Sequence, residues 1–165
     1  MKIRIAGLAN DSIVDGPGLR LTVFTQGCPH HCPGCHNPQS HPLDGGEEMT
    51  TEHILEIARN NILLDGVTLS GGEPFVQAKA CSEIARGAHA LGLNVWCYTG
   101  YAFEELLNGS ADWRDLLEQV DVLVDGPFIL ANRTLDVPFR GSSNQRILDV
   151  PASLQAQAPV FSRYN

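Results

Sequence analysis

The sequence predicts an α/β fold in which short, mostly parallel strands alternate with helices. After Gly46, short apolar runs alternate with segments whose apolar residues recur at helical spacing. Glycine, proline and short polar residues follow the apolar runs, as expected for loops. The unusual residues of the chain are concentrated in these loops, and ligand sites of parallel α/β sheets form where the strands end.

The first predicted strand covers 21–25, a β-branched and aromatic run that leads directly into Gly27 and Cys28. The segment around it, 7–46, contains seven glycines and five prolines. We therefore expect little other regular structure in that part of the chain, and a loop of cysteines at the carboxyl end of a strand.

Two helices and two strands are predicted in the middle of the chain. Thr50 or Thr51 caps the first helix. Its apolar face consists of Ile54, Ile57, Ala58 and Ile62. A strand over 67–70 follows, and a second helix, which places Cys81 on its apolar face, ends at Gly92. The next strand covers 93–98 and includes Cys97, so we expect both isolated cysteines to be buried.

The last part of the chain predicts one more helix and two strands. Asp112 is the candidate cap of the helix. Its apolar positions are Trp113, Leu116, Leu117 and Val120. Strands are expected over 122–124 and 146–150. With no internal repeat or linker, the chain reads as a single domain over 1–165 with a C-terminal tail from about residue 148.

Composition and charge exclude several functional classes. Eleven Lys and Arg against nineteen Asp and Glu give a net charge of −8, which argues against a nucleic-acid-binding protein. No apolar run approaches the roughly 18 residues of a membrane-spanning helix. Charged residues occur too early in the chain for the apolar core of a signal peptide. We expect a soluble, cytoplasmic protein.

Cys28, Cys32 and Cys35 form a C-x3-C-x2-C motif within a proline- and glycine-rich loop over 27–38. Soft thiolates in this arrangement select zinc or an iron–sulfur cluster. A structural zinc would need a fourth ligand, for which the candidates are His30, His31, His36 and His41. In a four-iron cluster, three cysteines leave one iron free to bind a small molecule. The motif alone leaves both interpretations open, together with a third in which the thiols are inert.

Three further loops follow predicted strands and should lie at the same edge of the sheet. They are 71–74 (Gly-Gly-Glu-Pro), 99–100 (Thr-Gly) and 125–127 (Asp-Gly-Pro). The two glycines allow close backbone approach to a ligand, and the Glu73 carboxylate can accept hydrogen bonds from an ammonium group. Four such loops at one edge indicate a site.

In combination these motifs resemble those of radical S-adenosylmethionine enzymes, in which a GGE-type loop follows the cysteine motif. The segments that resemble glycyl-radical-enzyme activating proteins are 15–20, 27–28, 35–38 and 71–74. The segments 96–101, 124–128 and 140–146 are similar to one branch, the activators of anaerobic ribonucleoside-triphosphate reductase. The resemblance covers about residues 8 to 147.

The resemblance implies a partial (β/α) barrel of the radical S-adenosylmethionine type. It further implies that the three cysteines hold one 4Fe–4S cluster whose open iron is chelated by the amino and carboxylate groups of S-adenosylmethionine. The residues implied at the cofactor are Gly34, Cys35 and His36 from the cysteine loop and Gly71, Gly72 and Glu73 from the glycine loop. His36 departs from the pattern, because this branch more often has Tyr or another aromatic residue there.

The implied activity is reductive cleavage of S-adenosylmethionine to methionine and a 5′-deoxyadenosyl radical, which abstracts hydrogen from a glycine. The implied partners are the large catalytic subunit of anaerobic ribonucleoside-triphosphate reductase and an electron donor such as flavodoxin or ferredoxin. Because the cofactor carries the radical, we predict no acid–base residue. The alternatives are an activator of another glycyl radical enzyme, such as pyruvate formate-lyase, and a zinc-stabilised binding module without catalysis. The 15–18 segment reads either as an ordinary turn or, together with Arg20, as a rim or partner contact. The 140–146 segment reads as a surface or cofactor-adjacent loop, and Asp15, Arg20 and the residues of this loop are not assigned individual roles.

Overall fold

A computed structural model describes residues 1–165 as one seven-stranded sheet with helices packed on one face. The strands are β1 Lys2–Ser12, β2 Arg20–Thr25, β3 Glu47–Thr50, β4 Gly66–Gly71, β5 Asn94–Tyr98, β6 Val122–Asp125 and β7 Arg146–Asp149. The helices are α1 Thr51–Asn60, α2 Ala78–Ala90, α3 Phe103–Leu107, α4 Ala111–Gln119 and α5 Val150–Ala156. Short 3-10 turns lie at Pro38–Ser40, Pro74–Gln77 and Leu130–Asn132.

The strand order is β3-β1-β2-β4-β5-β6-β7. The four strands in the centre, β2, β4, β5 and β6, run parallel to one another, whereas β1, β3 and β7 pair antiparallel at the two sides. Strands β3 and β7 are the two edges, so the sheet is open. This arrangement confirms the predicted α/β class and agrees with a partial barrel.

Alternation along the central strands gives the sheet two different faces. Leu21, Val23 and their equivalents on the neighbouring strands join a core of 26 buried residues beneath the helices. The opposite face carries polar residues such as Thr22 and Thr68 and a small apolar cluster built on Trp96. The first face stabilises the fold by burial of apolar surface, and the second is available for a site.

The parallel register places the carboxyl ends of the central strands side by side. Thr25 at the end of β2 is opposite Gly71 at the end of β4, and Tyr98 at the end of β5 is opposite Val124 in β6. The loops that follow β2, β4, β5 and β6 therefore share one edge of the sheet, as the sequence predicted.

Several elements differ from the sequence-based expectation. Strands β1 and β3 lie within or beside the segment that was expected to be irregular, and α3 and α5 were not predicted. Ser110, not Asp112, caps α4 by accepting a hydrogen bond from the Trp113 N–H, and Asp112 lies in the first turn. Thr50 caps α1 as predicted. No helix combines the length and apolar character that a membrane crossing requires.

The segment after residue 148 packs against the sheet. Beyond α5, Phe161 forms an antiparallel bridge with Leu148 in β7. The Tyr164 ring then lies against Trp96 on the polar face, with 5.3 Å between ring centroids. The tail thereby closes one end of that face.

Candidate functional site

Two adjoining cavities open at the edge where the parallel strands end. The larger has a volume of about 330 Å³ and the smaller of about 120 Å³. The residues that line both are Cys35, Ser70, Gly71, Tyr98, Phe128 and Gln145. We call the combined space the cleft. It brings together residues from all four loops that the sequence placed at this edge.

All three predicted cysteines lie on the wall of the smaller cavity, together with Gly71 and Gly72. The cysteines are partly exposed and form no disulfide. His36 and Cys35 line the larger cavity, whereas Gly34 is an exposed neighbour of the Leu130 side chain.

The cysteine loop (27–38) has a fixed backbone path at each end. Gly27 adopts a φ of +100° and its N–H donates to Ser40 O at 2.6 Å. The Cys28 N–H donates to His41 O at 3.1 Å, and the Cys35 N–H donates to Cys32 O at 3.1 Å. These bonds curl the loop over the end of β2.

The chemistry of this loop fits an iron–sulfur cluster. The Asn37 N–H donates to Cys35 Sγ at 3.4 Å, a contact typical of backbone support for a ligating sulfur. Burial raises the pKa of the Cys28 thiol. No group of three His, Cys, Asp or Glu side chains, the cysteine motif included, is arranged to hold a metal ion, so the fit to a cluster rests on the donor type, three soft thiolates. The His41 Nε2 atom is buried without a hydrogen-bond partner, and His41 lines the cavity with the cysteines.

The glycine loop (71–74) lies so close to the cysteine strand that side chains would not fit. A Cβ on Gly71 would lie 2.5 Å from Thr25 N, and a Cβ on Gly72 would lie 2.5 Å from Gly27 O. Gly71 also adopts a φ of +92°. Backbone hydrogen bonds join the two segments, from Gly72 N to Thr25 O and from Glu73 N to Gly27 O, both at 2.8 Å.

The Glu73 side chain is completely buried and is bonded to groups of the protein itself. Its carboxylate accepts hydrogen bonds from the Thr99 hydroxyl at 2.9 Å, the Gly100 N–H at 2.8 Å and the Phe75 N–H at 3.1 Å. The His30 ring nitrogen Nε2 lies 2.6 Å from Glu73 Oε1. A bound ammonium group would therefore have to share this carboxylate with four internal donors.

Asp15 and Arg20 have different surroundings although they lie in one motif. Asp15 lines the larger cavity, and its Oδ2 atom accepts hydrogen bonds from the Ser12 and Thr22 hydroxyls. Arg20 is 0% exposed, so the expectation that it contacts the rim or a partner is wrong. Burial lowers the pKa of the Arg20 guanidinium to about 10.

The Arg20 guanidinium bonds only to uncharged acceptors. They are Pro17 O at 3.0 Å, Val67 O at 3.0 Å, Thr68 Oγ1 at 2.7 Å and Asn94 Oδ1 at 2.7 Å. Its Cζ atom also lies 5.8 Å from the centroid of the Trp96 ring. Arg20 thus joins the turn before β2 to β4 and β5 inside the protein.

The 140–146 segment forms one wall of the cleft. Arg140, Gly141 and Gln145 line the larger cavity. The Gln145 amide donates to Gly126 O at 3.1 Å, and the Asn144 amide donates to Pro127 O at 2.9 Å. The segment is therefore attached to the loop that follows β6.

Sequence reasoning did not single out the aromatic residues of the cleft. Tyr98, Phe128 and Phe139 all line the larger cavity. The Phe128 ring lies 5.2 Å from that of His36, centroid to centroid. Tyr98, like Phe24 on β2, which also lines this cavity, carried a usable signal, because strand alternation puts it on the face opposite Cys97. Cys81 and Cys97 are completely buried, as predicted.

Comparison with known proteins gives a consistent result. Residues 14–148 match the family model of a 4Fe-4S single cluster domain. A protein of Salmonella typhimurium is 36% identical over 141 residues, and one of Escherichia coli K12 is 34% identical over 142 residues. Each match covers 81% of this chain and 90% of the relative. A third relative, from Enterobacteria phage T4, is 31% identical over 140 residues, 81% of this chain and 86% of its own.

All three relatives carry the name anaerobic ribonucleoside-triphosphate reductase-activating protein. Among solved structures, the crystal structure of QueE from Escherichia coli superposes with a TM-score of 0.51 at 16% identity. That match covers 61% of this chain and 53% of QueE, and it indicates a common fold.

Proposed function

Because this chain belongs to the family of anaerobic ribonucleoside-triphosphate reductase-activating proteins, we propose that it generates the glycyl radical of such a reductase. One observation carries the proposal. Cys28, Cys32 and Cys35 lie on the wall of a cavity that Gly71 and Gly72 also line, at the carboxyl ends of parallel strands. An iron–sulfur cluster at the cysteines and a small nucleotide cofactor would meet in the cleft that this cavity forms with the larger one.

The three cysteine thiolates would hold a 4Fe–4S cluster and leave one iron open toward the cleft. When bound, the cluster would supply the electron that splits S-adenosylmethionine into methionine and a 5′-deoxyadenosyl radical, which takes hydrogen from a glycine of the reductase. The protein would contribute position, support and exclusion of water.

The residues of the cleft have separate tasks in this proposal. Cys35 and His36 would contact the cofactor from the cysteine loop, with Gly34 beside them. Gly71 and Gly72 would present backbone groups to its methionine end, since neither position has room for a side chain. Glu73 would act from the protein interior behind the cofactor site, because its carboxylate is buried among internal donors.

The partner would be the large catalytic subunit of the reductase, in the cytoplasm. The open sheet leaves the cleft accessible to a protein substrate. Reduction of the cluster would need an electron donor such as flavodoxin or ferredoxin.

The test is anaerobic reconstitution with iron and sulfide, followed by reduction with dithionite in the presence of S-adenosylmethionine. We expect brown protein with four irons per chain, and formation of methionine and 5′-deoxyadenosine in equal amounts. Addition of the reductase subunit should produce a glycyl doublet in the electron paramagnetic resonance spectrum. Colourless protein with one tightly held zinc would contradict the proposal and favour a zinc-stabilised binding module. A doublet on pyruvate formate-lyase alone would reassign the partner.

A further inference from the structure

We propose that His30 is a positioning residue, which holds the cysteine loop in register with the glycine loop through its hydrogen bond to Glu73. The expected effect on cofactor binding rests on the proposed function. The bond itself is a property of the chain and can be tested separately.

The contact between the two side chains is short and shielded. His30 Nε2 lies 2.6 Å from Glu73 Oε1, with the His30 side chain 16% exposed and the Glu73 side chain 0% exposed. When Glu73 is ionised, its carboxylate has only acceptor sites, and the His30 ring nitrogen that faces it is then the donor. A charge-assisted hydrogen bond shielded from water is stronger than one at the surface.

Glu73 connects His30 to two other loops. Besides His30, the Gly100 N–H donates to Oε1 and the Phe75 N–H donates to Oε2, while the Thr99 hydroxyl lies 2.9 Å from both oxygens. The loops that follow β2, β4 and β5 thus converge on one carboxylate. Of the cysteine loop, only the His30 side chain takes part in this junction.

Packing leaves the His30 ring little freedom. The Tyr101 ring meets it edge to face at 4.5 Å between centroids. In addition, a Cβ on Gly100 would lie 2.5 Å from His30 Cδ2, so only glycine leaves space for the ring. Since His30 stands between Cys28 and Cys32 in the chain, fixing the ring also fixes the span between these two cysteines.

The neighbouring His31 provides a matched comparison. His31 is exposed, its φ is +50°, and its ring centroid lies 5.4 Å from that of His41. The two histidines therefore share chemistry and loop but differ in their connection to Glu73. Loss of His30 should affect the cofactor site, and loss of His31 should not.

The experiment compares wild type with His30→Ala, His30→Gln and His31→Ala, each as full-length protein. Gln is the conservative variant, since its amide N–H can donate to Glu73 from nearly the same place. The first readout is backbone hydrogen exchange of the cluster-free proteins. We expect faster exchange across 27–38 in His30→Ala, and wild-type exchange in the other two variants.

The second readout is the electron paramagnetic resonance spectrum of the reduced, reconstituted proteins during titration with S-adenosylmethionine. We expect all four proteins to hold similar iron, and His30→Ala to need about tenfold more S-adenosylmethionine for the same spectral change. His30→Gln should need an S-adenosylmethionine concentration within about threefold of the wild-type one, because its amide keeps the hydrogen bond although the imidazole is lost.

Three outcomes would overturn the inference: wild-type exchange in His30→Ala, an equal defect in His31→Ala, or a His30→Gln variant as impaired as His30→Ala. If His30→Ala does not fold, the result for His30→Gln decides whether the inference holds. This variant must then respond to S-adenosylmethionine like wild type. A wild-type protein that holds no cluster would refute the proposed function. The hydrogen-exchange comparison would still test whether His30 holds the cysteine loop.

Discussion

Arg146 and Asp125 form an ion pair with two hydrogen bonds across the last two strands of the sheet. Arg146 Nε lies 3.0 Å from Asp125 Oδ1, and Nη2 lies 2.5 Å from Oδ2. The two residues are directly opposite in the β6–β7 register. Asp125 also accepts the Phe103 N–H at 2.7 Å, so the same carboxylate fixes the start of α3. The pair raises the pKa of Arg146 and secures the strand ends beside the cleft.

Asp125→Asn should therefore destabilise the protein markedly. The change removes the charged partner of the Arg146 guanidinium, which is 29% exposed and keeps Glu104, and breaking such a half-buried pair from one side costs about 2 kcal/mol. Urea unfolding monitored by circular dichroism measures the loss. A cost below about 1 kcal/mol would show that the pair adds little to stability.

Glu104 makes a second, more exposed contact with Arg146, and it should give a pH-dependent contribution. The Arg146 hydrogen bond lowers the pKa of Glu104. Its contribution is thus present above the unfolded-state pKa of about 4.3 and is lost as the pH falls through the lower folded-state value. Glu104→Gln should cost up to about 1 kcal/mol at pH 7 and nothing at pH 2. An equal cost at both pH values would contradict this assignment.

Replacement of Cys28, Cys32 or Cys35 by Ser should abolish retention of iron after anaerobic reconstitution. Serine replaces a soft thiolate ligand with a poor one for iron–sulfur clusters. Cys97→Ala is the control, because Cys97 is buried away from the cavity and its loss should affect stability alone. Colorimetric iron and sulfide determination gives the answer, and wild-type iron content in any of the three Ser variants would exclude that cysteine as a ligand.

Gly71→Ala should displace the cysteine loop, and Gly92→Ala provides a matched control. Both glycines have positive φ, +92° and +80°, so both variants pay about 1 kcal/mol of backbone strain. An added Cβ meets Thr25 N at 2.5 Å in the first case and nothing within 4 Å in the second. We expect Gly71→Ala to lose at least 1 kcal/mol more in urea unfolding and to retain less iron. Equal losses of stability and iron in the two variants would show that the two loops accommodate the added methyl group without displacement.

Arg20→Lys should destabilise the protein by about 2–4 kcal/mol although charge is kept. A lysine ammonium cannot reach four acceptors arranged around a planar guanidinium, and the unmatched acceptors stay buried. Arg163→Lys, at an exposed pair with Tyr164, should change stability by less than about 0.5 kcal/mol. If the two substitutions had similar effects in urea unfolding, the buried network would not be a source of stability.

The central strands could be predicted from the sequence because their own residues define them. The runs at 21–25 and 67–70 are apolar on one face and have a glycine within the next two residues. Strand β3, by contrast, consists of Glu47–Thr50 and has no apolar pattern. It exists because it pairs with β1, whose residues Lys2–Ile5 supply the hydrogen bonds, and that pairing is invisible in a local sequence window.

The site could be predicted in part for the same reason. The spacing of the cysteines is local, so the sequence placed all three on one loop. The surroundings of Glu73 are not local, because His30, Thr99 and Gly100 reach it from loops far apart in the chain. The expectation that Arg20 is exposed was wrong for the same reason. Its acceptors on β4 and β5 are brought together only in the folded sheet.

The dependence of the cysteine loop on Glu73 and Gly100 has a consequence for synthesis on the ribosome. Residues 27–38 leave the ribosome well before 73 and 100, so the newly made loop at first lacks the carboxylate that its histidine binds. Its thiols are then exposed to oxygen and to stray metal ions. Correct metallation of the nascent chain should therefore follow completion of β5, and any cellular factor that delivers iron and sulfide would act best after that stage.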